Sequence, residues 1–157
     1  MKLYHGSNIQ IKSIDLSKCK PYKDFGQGFY LTEIEQQAFQ MARRTASIYG
    51  GDAVVTRFEF DENALSDTSL SIKRFEEPNE EWALFVMDNR SRERQHPIHE
   101  YDIVIGPVAD DTIATLFRNF DDGIIDLPML VNGLKYKKIS PQYFFHTPKA
   151  VAYLKTL

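Results

Sequence analysis

The chain has 157 residues, of which 43% are hydrophobic and 13% aromatic, and it carries 19 basic residues against 22 acidic ones. This length and composition predict one globular domain spanning residues 1–157, and the balanced charge excludes a protein drawn by its overall field to nucleic acid or to an anionic membrane. Cys19 is the only cysteine, which excludes an internal disulfide. With no secretory segment and no run approaching the ~18 apolar residues of a membrane span, we expect a cytoplasmic protein without membrane association.

The first half of the chain predicts two short strands, a long helix and a third strand. The stretches "KLYHG" and "GFYLT" are typical of strands and are separated by a polar loop. Thr32 and Glu35 match the T-x-x-E capping box, and apolar residues then recur at helical spacing until Gly50 and Gly51. The stretch "AVVTRFEFD" alternates between two faces, which predicts a strand with one buried side.

The second half predicts a mixture of helices and strands. From Glu80 to about Arg92, apolar residues at three- and four-residue spacing predict a helix, and "YDIVIG" predicts a central strand. The stretches "DDTIATLFRNFDDG" and "LPMLVNGL" predict two helices, "QYFFH" predicts a strand, and Thr147 with Pro148 predicts the start of a closing helix. Because these elements do not alternate as βαβ units, the expected fold class is α+β.

Two short motifs contain candidate binding residues. The stretch "HGS" begins at His5 near the end of the first strand, and "GQG" at residues 26–28 precedes the second strand. Read alone, the first is typical of a turn with a hydrogen-bonded histidine, and the second of any tight bend, because glycine permits positive φ. The glycines do not form a dinucleotide-binding fingerprint, since the third glycine is missing and the pair precedes its strand.

Taken in order, these motifs resemble those of a known enzyme group. The stretches "HGS", "FGQGFYLTE" and "SPQYFFHT" are similar to the signature segments of the poly(ADP-ribose) polymerase and diphtheria-toxin group of ADP-ribosyltransferases. Nearly the whole chain also resembles a small bacterial family catalogued as domain of unknown function 3990, through "LYHGS", "DFGQGFYLT", "YDIVIGPVADD" and "QYFFHT". The resemblance implies a single ADP-ribosyltransferase-like domain with a central split antiparallel sheet and flanking helices. It also implies NAD as the substrate and no metal.

The resemblance further implies roles for individual residues. His5 would hydrogen-bond the adenosine ribose, Gly6 would pair its main-chain N–H and C=O with the nicotinamide amide, and Tyr30 would stack on the nicotinamide ring. The implied catalytic residues are His5, Tyr30 and Gln142. The residues implied to bind the dinucleotide are His5, Gly6, Ser7, Gly28, Phe29, Tyr30, Met41 and Arg90.

Three positions depart from the family pattern. A glutamate normally precedes the late-strand tyrosine and stabilises the sugar as it becomes cationic, but this chain has Gln142. Losing that charge lowers the rate by roughly tenfold to a hundredfold, so we expect slow mono-ADP-ribosyl transfer and no polymer synthesis. Met41 replaces a second stacking tyrosine and Ala38 replaces a hydroxyl-bearing residue, which implies modest affinity for the dinucleotide.

Several polar residues have both a structural and a functional interpretation. Asp110 and Asp111 either begin the following helix or supply an acid near the site. Arg90 either binds a pyrophosphate or pairs with an acid while Asn89 closes its helix. His146 is expected to cap the region of the closing helix.

One cluster contains residue types that bind metals. His96, His99 and Glu100 are close in sequence, but their spacing matches no zinc motif and Pro97 breaks helical geometry. No metal site is therefore expected there.

Three hypotheses from different functional classes follow. The first is an NAD-dependent mono-ADP-ribosyltransferase acting on an unknown protein or nucleic acid, and the analogy with bacterial toxins adds an inhibitory antitoxin protein as a partner. The second is a catalytically weak or inactive module that binds NAD or ADP-ribose. The third is a metal-dependent hydrolase built on the cluster around His96.

Overall fold

The structure is a computed structural model that describes residues 1–135, 137 and 140–157. Within these residues the strands are β1 Lys2–Ser7, β2 Phe29–Thr32, β3 Val54–Phe60, β4 Ile72–Arg74, β5 Ile103–Pro107, β6 Pro141–Phe145 and β7 Leu154–Thr156. The α-helices are α1 Glu35–Tyr49, α2 Glu80–Arg90, α3 Asp111–Asp121, α4 Leu127–Leu134 and α5 Pro148–Val151. No helix in the described ranges combines the length and the apolar character needed to cross a membrane.

The strands form one sheet in the order β4-β5-β6-β2-β1-β3-β7. Strands β4 and β5 run parallel, and the other neighbouring pairs are antiparallel. The prediction of an antiparallel sheet is therefore wrong at this edge, because the short stretch "IKR" adds a parallel strand beside β5. The described part of the chain is thus a single α+β domain with a seven-stranded mixed sheet and five α-helices.

The sheet has an apolar core on each face. We call one face the His5 face, because His5 lies there above a core that includes Phe29 and Phe58. The other, the Tyr30 face, carries Tyr30 at the border of a core that packs beneath α2, α3 and α4 around Trp82. Side chains alternate between the faces along each strand, so a residue's parity in its strand decides which core it joins.

Most of the predicted elements are confirmed. Helix α1 ends at Tyr49, and Gly50 follows with φ +87°, as the glycine signal predicts. Helix α2 ends at Arg90, two residues before the predicted end. Strand β3 shows the predicted alternation. Its buried residues Thr56, Phe58 and Phe60 alternate with the exposed residues Arg57 and Glu59.

The predicted capping box at α1 is wrong. Thr32 Oγ1 accepts a hydrogen bond from Ile34 N–H at 3.1 Å and donates to Gln37 Oε1 at 2.9 Å, but the helix has no side-chain cap. Glu35 does not turn back to Thr32, because it pairs with Arg57 of β3 at 2.6 Å. Glu35 therefore contributes to the contact between α1 and β3 instead of forming the capping box with Thr32.

The predicted closing helix is shorter than expected. Helix α5 has four residues, and the chain then turns into β7, which pairs with β3 through Glu59 and Lys155. A strand of three residues carries too little alternation to be recognised from its sequence.

Candidate functional site

Strands β1 and β2 separate close to the site predicted from the sequence. They share one register pair, Tyr4 with Thr32, whereas β1 and β3 share six. Met1 and Phe60 exchange both main-chain hydrogen bonds, at 3.0 and 2.7 Å. Because such pairs alternate along antiparallel strands, Gly6 directs its N–H and C=O away from β3 and toward β2, where it has no register partner. The space between the two strands, the β1–β2 gap, therefore presents a main-chain donor and acceptor.

His5 reaches this gap from the His5 face. Its Nδ1 donates to the main-chain oxygen of Tyr30 at 2.8 Å, and its ring stacks on Phe29 with centroids 4.3 Å apart. Burial lowers the pKa of His5, and the hydrogen bond to Tyr30 offsets this effect only in part. The ring is thus neutral near pH 7, with Nε2 as an acceptor. The phenol of Tyr30 lies on the opposite face, so the two residues meet through a main-chain atom.

Helix α1 lies directly on Gly6. A Cβ at this position would be 1.9 Å from the main-chain oxygen of Ala38 and 2.8 Å from the nitrogen of Ala42. Ala38 and Ala42 are the residues that α1 buries, so small side chains on both elements allow the helix to approach the sheet. Of the other predicted binding residues near this contact, Ser7 is half-buried at the end of β1, and Met41 is 50% exposed.

The hydroxyl of Tyr30 holds the loop that precedes β2. It accepts from Phe25 N–H at 2.9 Å and donates to the main-chain oxygen of Gly26 at 2.7 Å. Its ring lies 4.8 Å from that of Phe144, and burial raises the pKa of Tyr30 well above its usual value. Tyr30 therefore holds the glycine bend that precedes β2. We call residues 24–27, which form this bend, the 24–27 loop.

Two histidines bind the same loop. His99 Nε2 donates to the main-chain oxygen of Phe25 at 2.7 Å, while Tyr101 N–H donates to His99 Nδ1 at 3.1 Å. His146 Nδ1 donates to the main-chain oxygen of Gln27 at 2.9 Å. Together with the Tyr30 hydroxyl, they supply a side-chain donor to three successive carbonyls. The 24–27 loop is therefore held rigidly by groups from three separate parts of the chain.

These contacts bear on two interpretations of the histidines. The predicted capping role of His146 is wrong, because Thr147 caps α5 by accepting from Ala150 N–H at 3.2 Å. Both ring nitrogens of His99 are engaged, so it has no free nitrogen for a metal. Across residues 1–135, 137 and 140–157, no group of three or more His, Cys, Asp or Glu residues is arranged to hold a metal ion.

A buried carboxylate joins Gln142 to the 24–27 loop. Asp24 is 7% exposed and accepts from Gln142 Nε2 at 2.9 Å and from Ala109 N–H at 3.0 Å. Arg90 binds the same carboxylate through Nε at 2.8 Å and Nη2 at 2.6 Å. Gln142 Nε2 also lies 3.4 Å from the main-chain oxygen of Pro107. Of the two interpretations of Arg90, pairing with an acid is therefore the one observed.

The neighbouring polar residues also have structural partners. Asn89 Nδ2 donates to the main-chain oxygen of Phe85 at 2.8 Å, within the last turns of α2. Asp110 caps α3, and the hydrogen bond from Ile113 N–H lowers the pKa of its carboxyl. The side chain of Asp111 is 92% exposed in the first turn. Both aspartates belong to the start of α3, in agreement with the capping interpretation.

Two predicted binding residues before and in β2 have packing roles. A Cβ on Gly28 would lie 2.3 Å from the ring of Phe144 and 2.6 Å from the main-chain oxygen of Phe145. Phe29 is 5% exposed and belongs to the core of the His5 face. These contacts explain a glycine and an aromatic residue at these positions without a ligand.

Two cavities lie elsewhere on the molecule. One of about 580 Å³ lies between the start of α2 and α4, with Leu127 and Val131 in its wall. A second, of about 100 Å³, borders the 24–27 loop beside His99 and His146. Neither is lined by any of the three predicted catalytic residues, so these cavities are distinct from the predicted site.

The structure brings the predicted residues together in part. Tyr30 and Gln142 lie on the same face of neighbouring strands, because β2 and β6 pair Tyr30 with Phe144 and Thr32 with Gln142. Gly6 faces them across the β1–β2 gap, and the ring of His5 lies on the other face. His5, Gly6 and Tyr30 therefore adjoin the β1–β2 gap, whereas Gln142 lies on the far side of β2. The side chains of His5, Tyr30 and Gln142 do not share one surface.

Sequence reasoning missed Asp24. The residue precedes Phe25 in the predicted glycine bend, and an acid beside a buried aromatic residue needs a partner. That signal predicts a buried polar contact but not its identity, since Arg90 is 66 residues away and Gln142 is 118.

Comparison with known proteins identifies a family. No curated protein matches the chain, and no solved structure matches it either. A family model described as "Protein of unknown function (DUF3990)" matches residues 1–156, a range that contains every strand and helix described above. The chain therefore belongs to the family described as "Protein of unknown function (DUF3990)".

Proposed function

We propose that this protein is an NAD-dependent mono-ADP-ribosyltransferase that modifies a macromolecule. The main chain of Gly6 carries the proposal, because its N–H and C=O face the β1–β2 gap beside Tyr30 without a register partner there. The carboxamide of nicotinamide has one acceptor oxygen and one donor amino group, which match this donor and acceptor. Gln142 lies on β6, two strands from the β1 strand of Gly6, and on the same face as Tyr30. This position supports the proposed transferase function.

His5 and Tyr30 take different parts in the proposed complex. The neutral His5 ring has Nε2 available as an acceptor, because Nδ1–H is already donated to Tyr30. An acceptor of this kind suits a ribose hydroxyl at the adenosine end of NAD. Tyr30, held by its hydroxyl to the 24–27 loop, offers its ring to the planar nicotinamide.

The proposed reaction transfers ADP-ribose from nicotinamide to an acceptor. The bond between ribose C1′ and the nicotinamide nitrogen breaks, and its electron pair leaves with nicotinamide, which becomes neutral. A lone pair of the acceptor then forms the new bond to C1′, and the acceptor releases a proton to solvent. Gln142 accepts a hydrogen bond from a ribose hydroxyl while C1′ is cationic, which stabilises that state less than a carboxylate would.

The biological setting is part of the proposal. The proposed setting follows an analogy with compact bacterial ADP-ribosyltransferase toxins, which act on NAD and macromolecules of the cytoplasm. We therefore infer a cytoplasmic toxin with an inhibitory protein partner, as in toxin–antitoxin or phage-defence pairs. The balanced charge of the chain favours neither protein nor nucleic acid as the acceptor.

A second candidate function is favoured by one observation. The Asp24 carboxylate is paired with Arg90, and the residue at the catalytic position is a neutral amide. A site without a free negative charge near the sugar holds NAD or ADP-ribose with little turnover. The alternative is therefore a binding module that recognises the dinucleotide.

The test is nicotinamide release from NAD by the purified protein, measured by mass spectrometry. We expect slow release from the wild type and a loss of about 100-fold in His5→Ala and Tyr30→Ala, because each removes a group that orients the substrate. His96→Ala is the matched control, since this histidine is exposed in a loop outside strands β1 and β2. It is expected to keep the wild-type rate.

The outcomes separate the two functions. Release that is equal in the wild type and in folded His5→Ala protein would exclude a role for the β1–β2 gap in turnover. A rise in melting temperature with NAD, without product, would support the binding module. Growth arrest on expression that His5→Ala relieves and His96→Ala does not would support the toxin.

A further inference from the structure

The orientation of the Gln142 amide is set by its partners. Both groups that contact Nε2, the Asp24 carboxylate and the Pro107 carbonyl, are acceptors only. An amide placed the other way round would bring its oxygen against two acceptors, so the assignment of Nε2 follows from the chemistry of the neighbours.

The amide oxygen therefore points in a defined direction. Pro107 belongs to β5, on one side of β6, and β2 lies on the other side, so Oε1 is the end of the amide that is turned away from Pro107. No partner of Oε1 is found among the described residues, yet none of their fully buried side-chain N or O atoms lacks a hydrogen bond. Gln142 is 9% exposed, and Oε1 is an acceptor on the Tyr30 face without a hydrogen-bond partner among the described residues.

The same contact explains why this position is a glutamine. With glutamate at 142, a second carboxylate would lie about as close to Asp24 as Nε2 does now, at 2.9 Å. Two carboxylates at that distance cannot both be ionised. Glutamine satisfies Asp24 as a donor and still presents one acceptor oxygen.

We propose that Asp24 is a positioning residue that fixes the Gln142 amide with Oε1 toward the β1–β2 gap, where it accepts a hydrogen bond from the substrate ribose. The assignment rests on the proposed NAD chemistry. The negative charge of Asp24 at the N–H end of the amide also increases the electron density on Oε1. Arg90 and Ala109 N–H hold the carboxylate in place.

The kinetic test uses Asp24→Asn, Gln142→Glu and the double variant. Asparagine at 24 can accept or donate, so it no longer fixes the amide, and kcat for nicotinamide release is expected to fall about 10- to 100-fold, with a KM for NAD within about threefold of wild type. Gln142→Glu alone is expected to fall similarly, because the new carboxylate adjoins Asp24. The double variant has an acceptor oxygen in either rotamer and a carboxylate beside the cationic sugar, so it is expected to reach at least the wild-type rate.

Asp102→Asn is the control for a structural carboxylate that accepts hydrogen bonds from two separate segments of the chain. Asp102 accepts from Ser71 N–H at 2.8 Å and Thr147 Oγ1 at 2.6 Å, away from Gln142. It is expected to lose stability without a change in kcat for the folded protein. A double variant as slow as Asp24→Asn, or equal losses of kcat in Asp24→Asn and Asp102→Asn, would overturn the proposal.

A second measurement does not depend on turnover or on the folding of a variant. In ¹⁵N spectra of the wild type, the Gln142 side-chain protons are expected to exchange slowly with solvent and to include one shifted downfield by the charged acceptor. The exposed Gln36 and Gln40 on α1 are the references. A Gln142 amide that exchanges like these references would overturn the assignment of Asp24. Absence of nicotinamide release with a protected Gln142 amide would instead reject the NAD chemistry alone.

Discussion

At the scale of single residues, Gly6 lies in the proposed site and also packs directly against α1. The sequence interpretation assigned the glycine to a close ligand approach, and the structure adds the contact with α1. We expect Gly6→Ala to destabilise the fold by about 3 kcal/mol, because its Cβ would lie 1.9 Å from the main-chain oxygen of Ala38. Chemical denaturation monitored by circular dichroism measures the change.

Gly133→Ala is the matched control for that substitution. The three atoms nearest to its Cβ would be side-chain atoms of Leu116, the closest at 3.1 Å, and these can move. We expect a much smaller effect than at Gly6. Equal stability of the two variants would show that α1 does not press on β1 as described.

His99 makes the stability of the protein depend on pH. Burial lowers the pKa of His99, and the hydrogen bond to Phe25 offsets this only in part. Since the folded pKa is below the unfolded value of about 6.5, the unfolded chain takes up the proton first as the pH falls. The contribution of neutral His99 is therefore complete above about pH 6.5 and is lost as the pH drops from there through the folded pKa.

Urea unfolding between about pH 8 and pH 5 measures this dependence. We expect His99→Gln to lose less stability over that range than the wild type, while His96→Gln follows the wild type. The lowered pKa of His5 acts in the same direction and remains in both variants. Identical pH profiles for all three proteins would contradict the prediction.

The candidate site could be predicted from the sequence only as a set of residue types in order. The motifs located His5, Gly6, Tyr30 and Gln142 on the correct strands, because short motifs report local backbone needs. They could not show that the ring of His5 lies on the face opposite to Tyr30. That depends on the register between β1 and β2, which local patterns do not contain.

At the scale of elements, the start of α3 distinguishes two adjacent aspartates. Asp110 Oδ1 accepts from Ile113 N–H at 3.0 Å, whereas the side chain of Asp111 is 92% exposed. We expect Asp110→Ala to cost about 1 kcal/mol and Asp111→Ala to cost clearly less. Thermal unfolding of the two variants measures the difference. A larger loss of stability in Asp111→Ala than in Asp110→Ala would contradict the assignment of Asp110 as the cap.

The accuracy of element prediction followed the length of each periodic pattern. Strand β3 and helix α3 have seven and eleven residues, enough to repeat their periods, and both were predicted. Strands β4 and β7 have three residues each and were missed. They are strands because β5 and β3 offer open edges to them, which is a property of the sheet and not of the short stretches.

At the scale of the whole molecule, one sheet separates two cores, so we expect them to unfold together. Trp82, the only tryptophan, reports on the core of the Tyr30 face. Phe58→Ala in the core of the His5 face is expected to destabilise the protein by about 4 kcal/mol and to lower the melting temperature by roughly 10 °C. Tryptophan fluorescence and circular dichroism should shift equally.

Phe39→Ala is the control for this prediction. Phe39 lies on α1 and is 41% exposed, so its removal leaves no buried cavity. We expect a small shift. If Phe58→Ala moved the circular dichroism transition and left the fluorescence transition unchanged, the two cores would be independent units.

The sequence by itself determined the α+β class, the strongly periodic elements and the order of the motifs, because each depends on residues close together in the chain. Tertiary structure alone decided the β1–β2 gap, the face on which His5 lies and the partners of Asp24. Asp24 meets Arg90 across 66 residues and Gln142 across 118, and such contacts exist only after the sheet has brought distant segments together. Local periodicity encodes burial, whereas long-range packing decides which buried groups meet.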